Sequence, residues 1–256
     1  MKVLWFSNTP AMGSVYLNNS CNLKTTGGWL FELNNKLESY VSLYIVFHYP
    51  YNKEPFKFQR TNYFPVYAGN ILLENFKKRL QNKIYDDEFV TEYLKIINNV
   101  NPDIIHIHGT ENPFLCILGK TKVPIVISIQ GNLTIYHHKY FSGFHGKHIH
   151  KKSINFNFKT VLFGRNSFRK GLIILKTMAS IEQKYMKKVK YVIGRTSWDQ
   201  RITRVMAPKS KYFEGNEMLR SEFYTNKWNN HYFEGSLIIF TTNGNNYYKG
   251  FETLCY

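Results

Sequence analysis

The sequence predicts an α/β domain built on a parallel β-sheet flanked by helices. Three observations predict this class. Short, continuous apolar runs recur between Lys2 and Gly194, as buried parallel strands require. Segments with apolar residues at helical spacing separate these runs. Gly or polar residues follow most of the runs, where the strands of such a sheet end.

Each predicted strand is a mostly apolar run of a length typical of strands in globular proteins. The runs are bounded by polar residues, by Gly or by Pro, which are typical of loops. The five predicted strands are Lys2–Phe6, Val41–Phe47, Asp103–Gly109, Val123–Gly131 and Lys190–Gly194.

Helices are predicted between the strands. The first begins after Gly27-Gly28, because Trp29, Leu30, Leu33 and Leu37 recur at helical spacing. Before it, the polar stretch Ser7–Thr26 is predicted as a loop, and a basic, aromatic loop is predicted after the fourth strand. The other predicted helices lie within Ile71–Val100, which Pro102 closes, and over Pro113–Leu118, Phe168–Met186 and Ser197–Val205.

We predict two domains. Residues 1–230 form the first, and the polar stretch "NKWNNHYFEG" is a linker. Ser236–Leu254 then has a strand, a Gly-bearing loop and a helix start, so residues 236–256 begin a second domain of the same type. About 20 residues are too few to bury a core, so we expect this second domain to be incomplete.

Charge and cysteine content limit the function classes. The net charge is +17; residues 131–256 carry 21 Lys/Arg against 7 Asp/Glu, whereas residues 1–130 carry 13 against 10. Such a charge favours phosphate-bearing partners: nucleic acid, anionic lipid or a phosphorylated small molecule. Three scattered cysteines and the lack of an apolar run of about 18 residues predict a cytoplasmic protein without a zinc site or membrane span.

Polar or small residues follow four of the predicted strands. Ligands of parallel α/β sheets bind at the carboxyl ends of the strands, so these residues predict one crevice. The alternative is that they only end the strands. The residues concerned are His108 and Gly109, Gln130 and Gly131, Arg195 and Thr196, and the loop Ser7–Thr26.

Six motifs in register resemble glycosyltransferase family 4. They are Gly27-Gly28 at a helix start, "PDIIHIHG", "VPIVISIQG", "YVIGRTSWDQ", "YFEGNEMLRSEFY" and "YYKGFETL". The resemblance covers essentially the whole chain. It implies the GT-B architecture, in which two Rossmann-like domains face each other across a cleft, with a complete N-terminal domain and the first unit of the C-terminal one.

The resemblance implies a retaining, metal-independent enzyme of bacterial capsule, exopolysaccharide or lipopolysaccharide synthesis. It would move a sugar from a nucleotide-sugar donor to a polysaccharide or lipid-linked glycan. The aromatic-basic stretch from "YHHKYF" to "FRKG" would bind the acceptor or the inner face of the membrane, or be a solvated surface. The alternative class is a basic nucleic-acid-binding module, although no reader motif is present and we expect no specific nucleic acid.

The resemblance also assigns roles to individual residues. Gly27 and Gly28 would contact the donor diphosphate, since glycine lets backbone N–H groups approach phosphate at a helix N-terminus. Gln130 and His108 would be catalytic, with Gln130 standing where many relatives have His. Arg195, Thr196, Asp199 and Glu217 would bind the acceptor or, alternatively, form a structural ion-pair network.

Two further patterns bear on the donor and on metals. The acids in "YDDEF" (Tyr85–Phe89) precede a predicted helix and are typical of favourable helix-dipole partners rather than of a metal motif. In the family, paired glutamates of the C-terminal domain hold the nucleotide. Glu252 is the only acid after Gly235, so we expect no turnover from this chain alone.

Overall fold

The computed structural model describes residues 1–18, 28–68, 87–140 and 168–227. Within these ranges, one sheet contains strands β1 (Lys2–Ser7), β2 (Ser42–Tyr49), β3 (Phe56–Phe58), β4 (Thr61–Tyr67), β5 (Ile104–His108), β6 (Ile125–Ser128), β7 (Tyr191–Gly194) and β8 (Lys211–Glu214). The strand order is β3-β4-β2-β1-β5-β6-β7-β8. All neighbours are parallel except β3 and β4, which confirms the predicted α/β class.

The helices of the described ranges are α1 (Gly13–Asn18), α2 (Gly28–Leu37), α3 (Asp87–Val100), α4 (Leu133–Lys139), α5 (Phe168–Met186), α6 (Ser197–Met206) and α7 (Glu222–Thr225), with a 3-10 helix over Pro113–Ile117. Among these helices, none is both long and apolar enough to cross a membrane.

The five predicted strands are confirmed as β1, β2, β5, β6 and β7, with ends that differ by at most three residues. The helices predicted after Gly28 and over Phe168–Met186 are also confirmed, and the one predicted over Ser197–Val205 extends to Met206. The predicted helix at Pro113–Leu118 is a 3-10 helix. Of the predicted helix within Ile71–Val100, the described part begins at Asp87.

Three strands were not predicted, namely β3, β4 and β8. Pro65 lies in β4 and argues against an interior strand, because proline donates no ladder hydrogen bond. The structure accommodates Pro65 because β3 pairs only with Thr61, Asn62 and Tyr63 at the start of β4. β8 has mostly exposed residues and charged ends, so it lacks the apolar signal of a buried strand.

Two segments that we predicted as loops contain helices. α1 lies inside the predicted loop Ser7–Thr26, and α4 begins the basic, aromatic stretch after β6. Asn132 starts α4 by accepting a hydrogen bond from Ile135 N at 3.0 Å. Gly27, Asp86, Lys249 and the predicted second domain at residues 236–256 lie outside the described residues.

The sheet buries apolar residues on both faces, because successive side chains of a strand alternate. Phe6 of β1 and Ile107 of β5 belong to one core cluster, which also includes residues of α3 and the 3-10 helix. Trp5 lies on the other face in a second cluster with Leu30 of α2. His108 follows Ile107 and contacts Trp5, so it lies on the α2 side of the sheet.

A buried polar network fixes α2 on this face. Asn34 of α2 is fully buried; its Oδ1 accepts from the Tyr63 hydroxyl at 2.7 Å and from Met12 N at 3.4 Å. Its Nδ2 donates to Thr61 Oγ1 at 2.9 Å, and that hydroxyl donates to Glu38 at 2.8 Å. Because both polar atoms of the amide have hydrogen-bond partners, the network holds α2 in one position.

We expect Asn34→Ala to lower the free energy of unfolding by about 2–3 kcal/mol, because it leaves buried partners of the amide without hydrogen bonds. Chemical denaturation measures this change. Asn35→Ala is the matched control, since Asn35 is exposed on the same helix, and we expect it to change stability by no more than about 0.5 kcal/mol. Equal losses in the two variants would contradict the role given to Asn34.

Candidate functional site

The strands that carry the candidate residues end level with one another. His108 of β5 pairs with Ser128 of β6, and Ser128 pairs with Ile193 of β7. Backbone hydrogen bonds continue past the strands, from Gly109 N to Ser128 O and from Ile129 N to Ile193 O, each at 2.9 Å. The residues that follow β5, β6 and β7 therefore meet at the carboxyl edge of the sheet, as the sequence predicted.

Arg195 joins two of the other candidate residues. It follows β7 directly, and its guanidinium forms an ion pair with Glu217 and donates from Nη2 to Gln130 O at 3.2 Å. The side chains of Arg195 and Glu217 are 32% and 30% exposed. Solvent therefore screens the pair, which fixes geometry more than it adds stability.

Thr196 and Asp199 form the capping box that starts α6. Thr196 Oγ1 accepts from Asp199 N at 3.1 Å, and Asp199 Oδ2 accepts from Thr196 N at 3.1 Å and from Arg195 N at 3.0 Å. These bonds satisfy backbone donors that the first turn of a helix leaves unpaired. The polar residues behind β7 thus have a structural use, and the acceptor-binding role of Thr196 and Asp199 stays a prediction.

Gly28 begins α2 and lies against a guanidinium. A Cβ atom at Gly28 would be 2.6 Å from Arg220 Nε and 2.8 Å from Arg220 Nη2. Arg220 is exposed, and in the described part of the chain no carboxylate pairs with it. A helix N-terminus and a cation thus lie side by side, which is an arrangement that favours an anion.

His106 and His108 lie side by side with ring centroids 3.9 Å apart. Burial lowers the pKa of His106 to about 4, and burial together with the neighbouring His106 lowers the pKa of His108 well below 6.5. Both imidazoles are therefore neutral at physiological pH. His106 Nε2 shares a 2.7 Å hydrogen bond with Ser128 Oγ, whereas neither ring nitrogen of His108 has a partner among the described residues.

Glu111 is a further candidate residue at this edge of the sheet, and sequence reasoning missed it. It lies three residues after β5, and Asn8, which follows β1, donates to its Oε2 at 3.2 Å. The φ angle of Gly109 is +85°. A Cβ atom at this position would collide with the Glu111 carboxylate and would lie 3.4 Å from Gln130 Cδ. Burial raises the pKa of Glu111. Its position just beyond a strand end was the signal that could have identified it.

A cavity of about 240 Å³ lies between α2 and the ends of β5, β6 and β7. Its apolar lining includes Trp29, Leu33, Ile129 and Ile193. The Nε2 of Gln130 is buried without a hydrogen-bond partner among the described residues. The polar lining consists of His106, His108, Ser128, Gln130, Arg195, Asn216 and Glu217.

The described ranges contain no group of three or more His, Cys, Asp or Glu residues that could hold a metal ion. The side chains at the carboxyl edge instead offer neutral imidazoles, an amide and an ion pair. Such a set can orient and hydrogen-bond a substrate.

Sequence comparisons identify no relative. No protein family matches the sequence, and no curated protein matches it. Similar solved structures include sucrose-phosphate synthase from Thermosynechococcus elongatus, at 8% identity and a TM-score of 0.49, with 84% of this chain and 47% of that chain covered. A second structure of that synthase gives 9% identity, a TM-score of 0.43, and coverage of 84% and 87%.

Glycyrrhiza uralensis UGT73P12, complexed with glycyrrhetinic acid 3-O-monoglucuronide, is similar at 8% identity and a TM-score of 0.40, with 84% of this chain and 48% of that chain covered. The chain therefore spans about half the length of that protein and of the first synthase structure. The likenesses are distant, so the function is argued below from the residues of this chain.

Acid should destabilise the protein through the histidine pair. An unfolded imidazole binds a proton near pH 6.5, whereas His106 in the folded protein does so only near pH 4. The unfolded state therefore binds more protons between these values, so stability is full above pH 6.5 and falls as the pH falls toward 4. We expect His106 to account for a loss of about 2 kcal/mol between about pH 7.5 and about pH 5.

Denaturation curves across this pH range measure the effect. His106→Gln should make the loss of stability with falling pH shallower. His138→Gln is the control, because His138 is exposed, and it should leave the slope unchanged. The same slope in His106→Gln as in the unmodified chain would contradict the prediction.

Proposed function

We propose that this chain belongs to a glycosyltransferase that uses a nucleotide-sugar donor and that it supplies the acceptor side of the active site. The observation that carries the proposal is that His108, Gln130 and Arg195 line one cavity at the carboxyl edge of the sheet, together with Trp29, which follows Gly28 in the sequence. The family-4 motifs assign roles to His108, Gln130, Arg195 and Gly28. The GT-B architecture, a retaining outcome and a pathway of bacterial polysaccharide synthesis are part of this proposal.

In the proposed reaction, an acceptor oxygen forms a bond to the anomeric carbon of the donor sugar. The bond from that carbon to phosphate breaks, and the nucleoside diphosphate leaves with the electron pair and finally the acceptor proton. The first turn of α2 and Arg220 would stabilise the charge that develops on the diphosphate. Gln130 would donate a hydrogen bond to the sugar or acceptor, and no metal would be needed.

Rate enhancement would come mainly from positioning and electrostatic stabilisation. His106 and His108 are neutral, so their pKa values suit them to hydrogen bonding and not to providing positive charge. Glu111 would add a carboxylate beside Gln130. The positive net charge of the chain would suit work at the inner face of the membrane.

Nucleotide-sugar binding by the 256-residue chain tests the class. The start of α2 and Arg220 would still contact the donor phosphates, so we expect at least one of the uridine-, guanosine- and adenosine-diphosphate sugars to bind weakly in a ligand-observed NMR titration. Gly28→Val should weaken the binding of that nucleotide sugar by about tenfold or more, because the branched side chain displaces Arg220 and covers the start of α2. Asn35→Val is the matched control, since it adds the same side chain at an exposed position of the same helix.

A filter-binding titration with DNA and RNA at physiological salt tests the alternative class. We expect only weak binding. Tight, strongly salt-dependent binding to nucleic acid, together with no response to any nucleotide sugar, would contradict the proposal and favour a nucleic-acid-binding module.

Arg195→Ala should weaken acceptor binding by about tenfold and leave nucleotide-sugar binding nearly intact, because Arg195 contacts Gln130 and Glu217, whereas the donor phosphates would meet Gly28 and Arg220. A polyprenyl-diphosphate disaccharide is the acceptor probe. Arg201→Ala, which removes an exposed arginine of α6, is the charge-matched control. An equal loss of acceptor binding and of nucleotide-sugar binding in Arg195→Ala would assign Arg195 a purely structural role.

A further inference from the structure

Exposed lysines cluster at the amino edge of the sheet, opposite the candidate site. Val126 of β6 pairs with Tyr191 of β7, and Tyr191 pairs with Lys211 of β8, so these three strands begin nearly level. Neighbouring strands lie about 4.8 Å apart, so the three starts span about 10 Å. Exposed lysines at these starts, or within four residues before them, are Lys122, Lys187, Lys188, Lys190, Lys209 and Lys211. We call this surface the lysine edge.

The parts of the sequence that form the lysine edge lack carboxylates. Between Glu111 and Glu214, the acids of the sequence are Glu182 and Asp199. Glu182 is buried, and Asp199 caps the start of α6 at the carboxyl edge of the sheet. In the described ranges, no lysine of this edge forms an ion pair with a carboxylate. The lysine edge is therefore a patch of one sign, whereas soluble surfaces ordinarily mix both signs.

The lysines are close enough for their electrostatic fields to add. Lys211 N donates to Lys190 O at 2.8 Å, so these two residues lie on directly paired backbone. At physiological ionic strength, charges are screened over about 8 Å, which is comparable with the spacing of the strand starts. Repulsion among the ammonium groups opposes their crowding in the folded chain. A dense array of anions would relieve this repulsion, so the lysine edge favours an extended anionic partner.

The chemistry of the lysine edge favours lipid headgroups over nucleic acid. Its cations are all lysines, which are flexible point charges and lack the planar fork with which arginine recognises bases and phosphates. Two aromatic residues are partly exposed beside them, Tyr191 at 39% and Phe213 at 41%. The ammonium of Lys211 lies 5.1 Å from the Phe213 ring centroid. Lysines interspersed with aromatic rings are typical of surfaces that contact membrane headgroups.

We propose that the lysine edge docks this chain on an anionic membrane surface, with the ammonium groups among lipid phosphates and with Tyr191 and Phe213 at the level of the headgroups. Clusters of about four to eight Lys/Arg are typical of binding to anionic lipid. The candidate site lies at the other ends of the same strands, so docking leaves it accessible. The inference rests on the proposed function only for its biological setting, since lipid binding needs no sugar transfer.

Vesicle flotation with the full chain at physiological salt tests the proposal. We expect binding to phosphatidylcholine vesicles with about 30% phosphatidylglycerol, and binding at least about tenfold weaker to pure phosphatidylcholine. The triple variant Lys188→Gln, Lys190→Gln and Lys209→Gln should weaken binding to the anionic vesicles at least about tenfold, since each lysine near such a surface contributes about fivefold. The same three residues changed to Arg keep the charge and should leave binding within about twofold.

A charge-matched control separates the lysine edge from the net charge of the chain. The triple variant Lys36→Gln, Lys53→Gln and Lys57→Gln removes the same charge from exposed positions near β3, at the opposite side of the sheet from β8. It should leave vesicle binding within about twofold. Equal losses in the two Gln triples, or equal binding to the two vesicle types, would overturn the proposal. Should the lysine-edge triple not fold, Lys190→Glu against Lys57→Glu makes the same comparison.

The remaining outcomes separate nucleic acid and the proposed function from this inference. RNA or DNA binding that is tighter than vesicle binding, and that only the lysine-edge triple weakens, would overturn the proposal and assign the surface to nucleic acid. Vesicle binding through the lysine edge without a response to any nucleotide sugar would support the docking surface and contradict the glycosyltransferase proposal. Nucleotide-sugar binding without vesicle binding would do the reverse.

Discussion

The buried carboxylate of Glu182 on α5 holds the candidate site together. It is 2% exposed, and it accepts hydrogen bonds from the Thr110 hydroxyl at 2.5 Å, from Thr134 N at 2.7 Å and from Leu133 N at 3.3 Å. Thr110 follows β5, and the other two donors begin α4 after β6. A buried carboxylate without such donors would cost several kcal/mol, so the two strand ends that carry His108 and Gln130 are held at a fixed separation.

The strongly basic composition does not extend into the cavity. Positive charge is concentrated in residues 131–256, yet the cavity is lined by neutral histidines, an amide and a closed ion pair between Arg195 and Glu217. The exposed Arg220 is instead beside the first residue of α2, where a phosphate group would add a favourable interaction with the helix dipole. One edge of the sheet thus offers two environments, an anion-favouring helix start and a largely apolar cavity.

The sequence predicted those parts of the fold whose physical cause is local and strong. Continuous apolar runs identified β1, β5 and β7, because a strand buried on both faces needs nonpolar side chains throughout. β4 was not predicted because it contains Pro65. Proline is compatible with this strand only because β3 pairs with β4 before Pro65 and not at it, and that pairing is a feature of the tertiary structure. α4 escaped because one of its stabilising partners, Glu182, lies 48 residues from Thr134 in the sequence.

The candidate site shows a different limit of sequence reasoning. Thr196, Asp199, His108 and Gln130 all follow strands, and the rule about strand ends selects them equally. The structure separates them by their hydrogen bonds. Thr196 and Asp199 close a capping box, so their polar atoms already stabilise the fold, whereas Gln130 Nε2 and the His108 nitrogens are buried with no partner among the described residues. Hydrogen-bond partners therefore distinguish residues that the strand-end rule selects equally, because they depend on tertiary contacts that the sequence does not display.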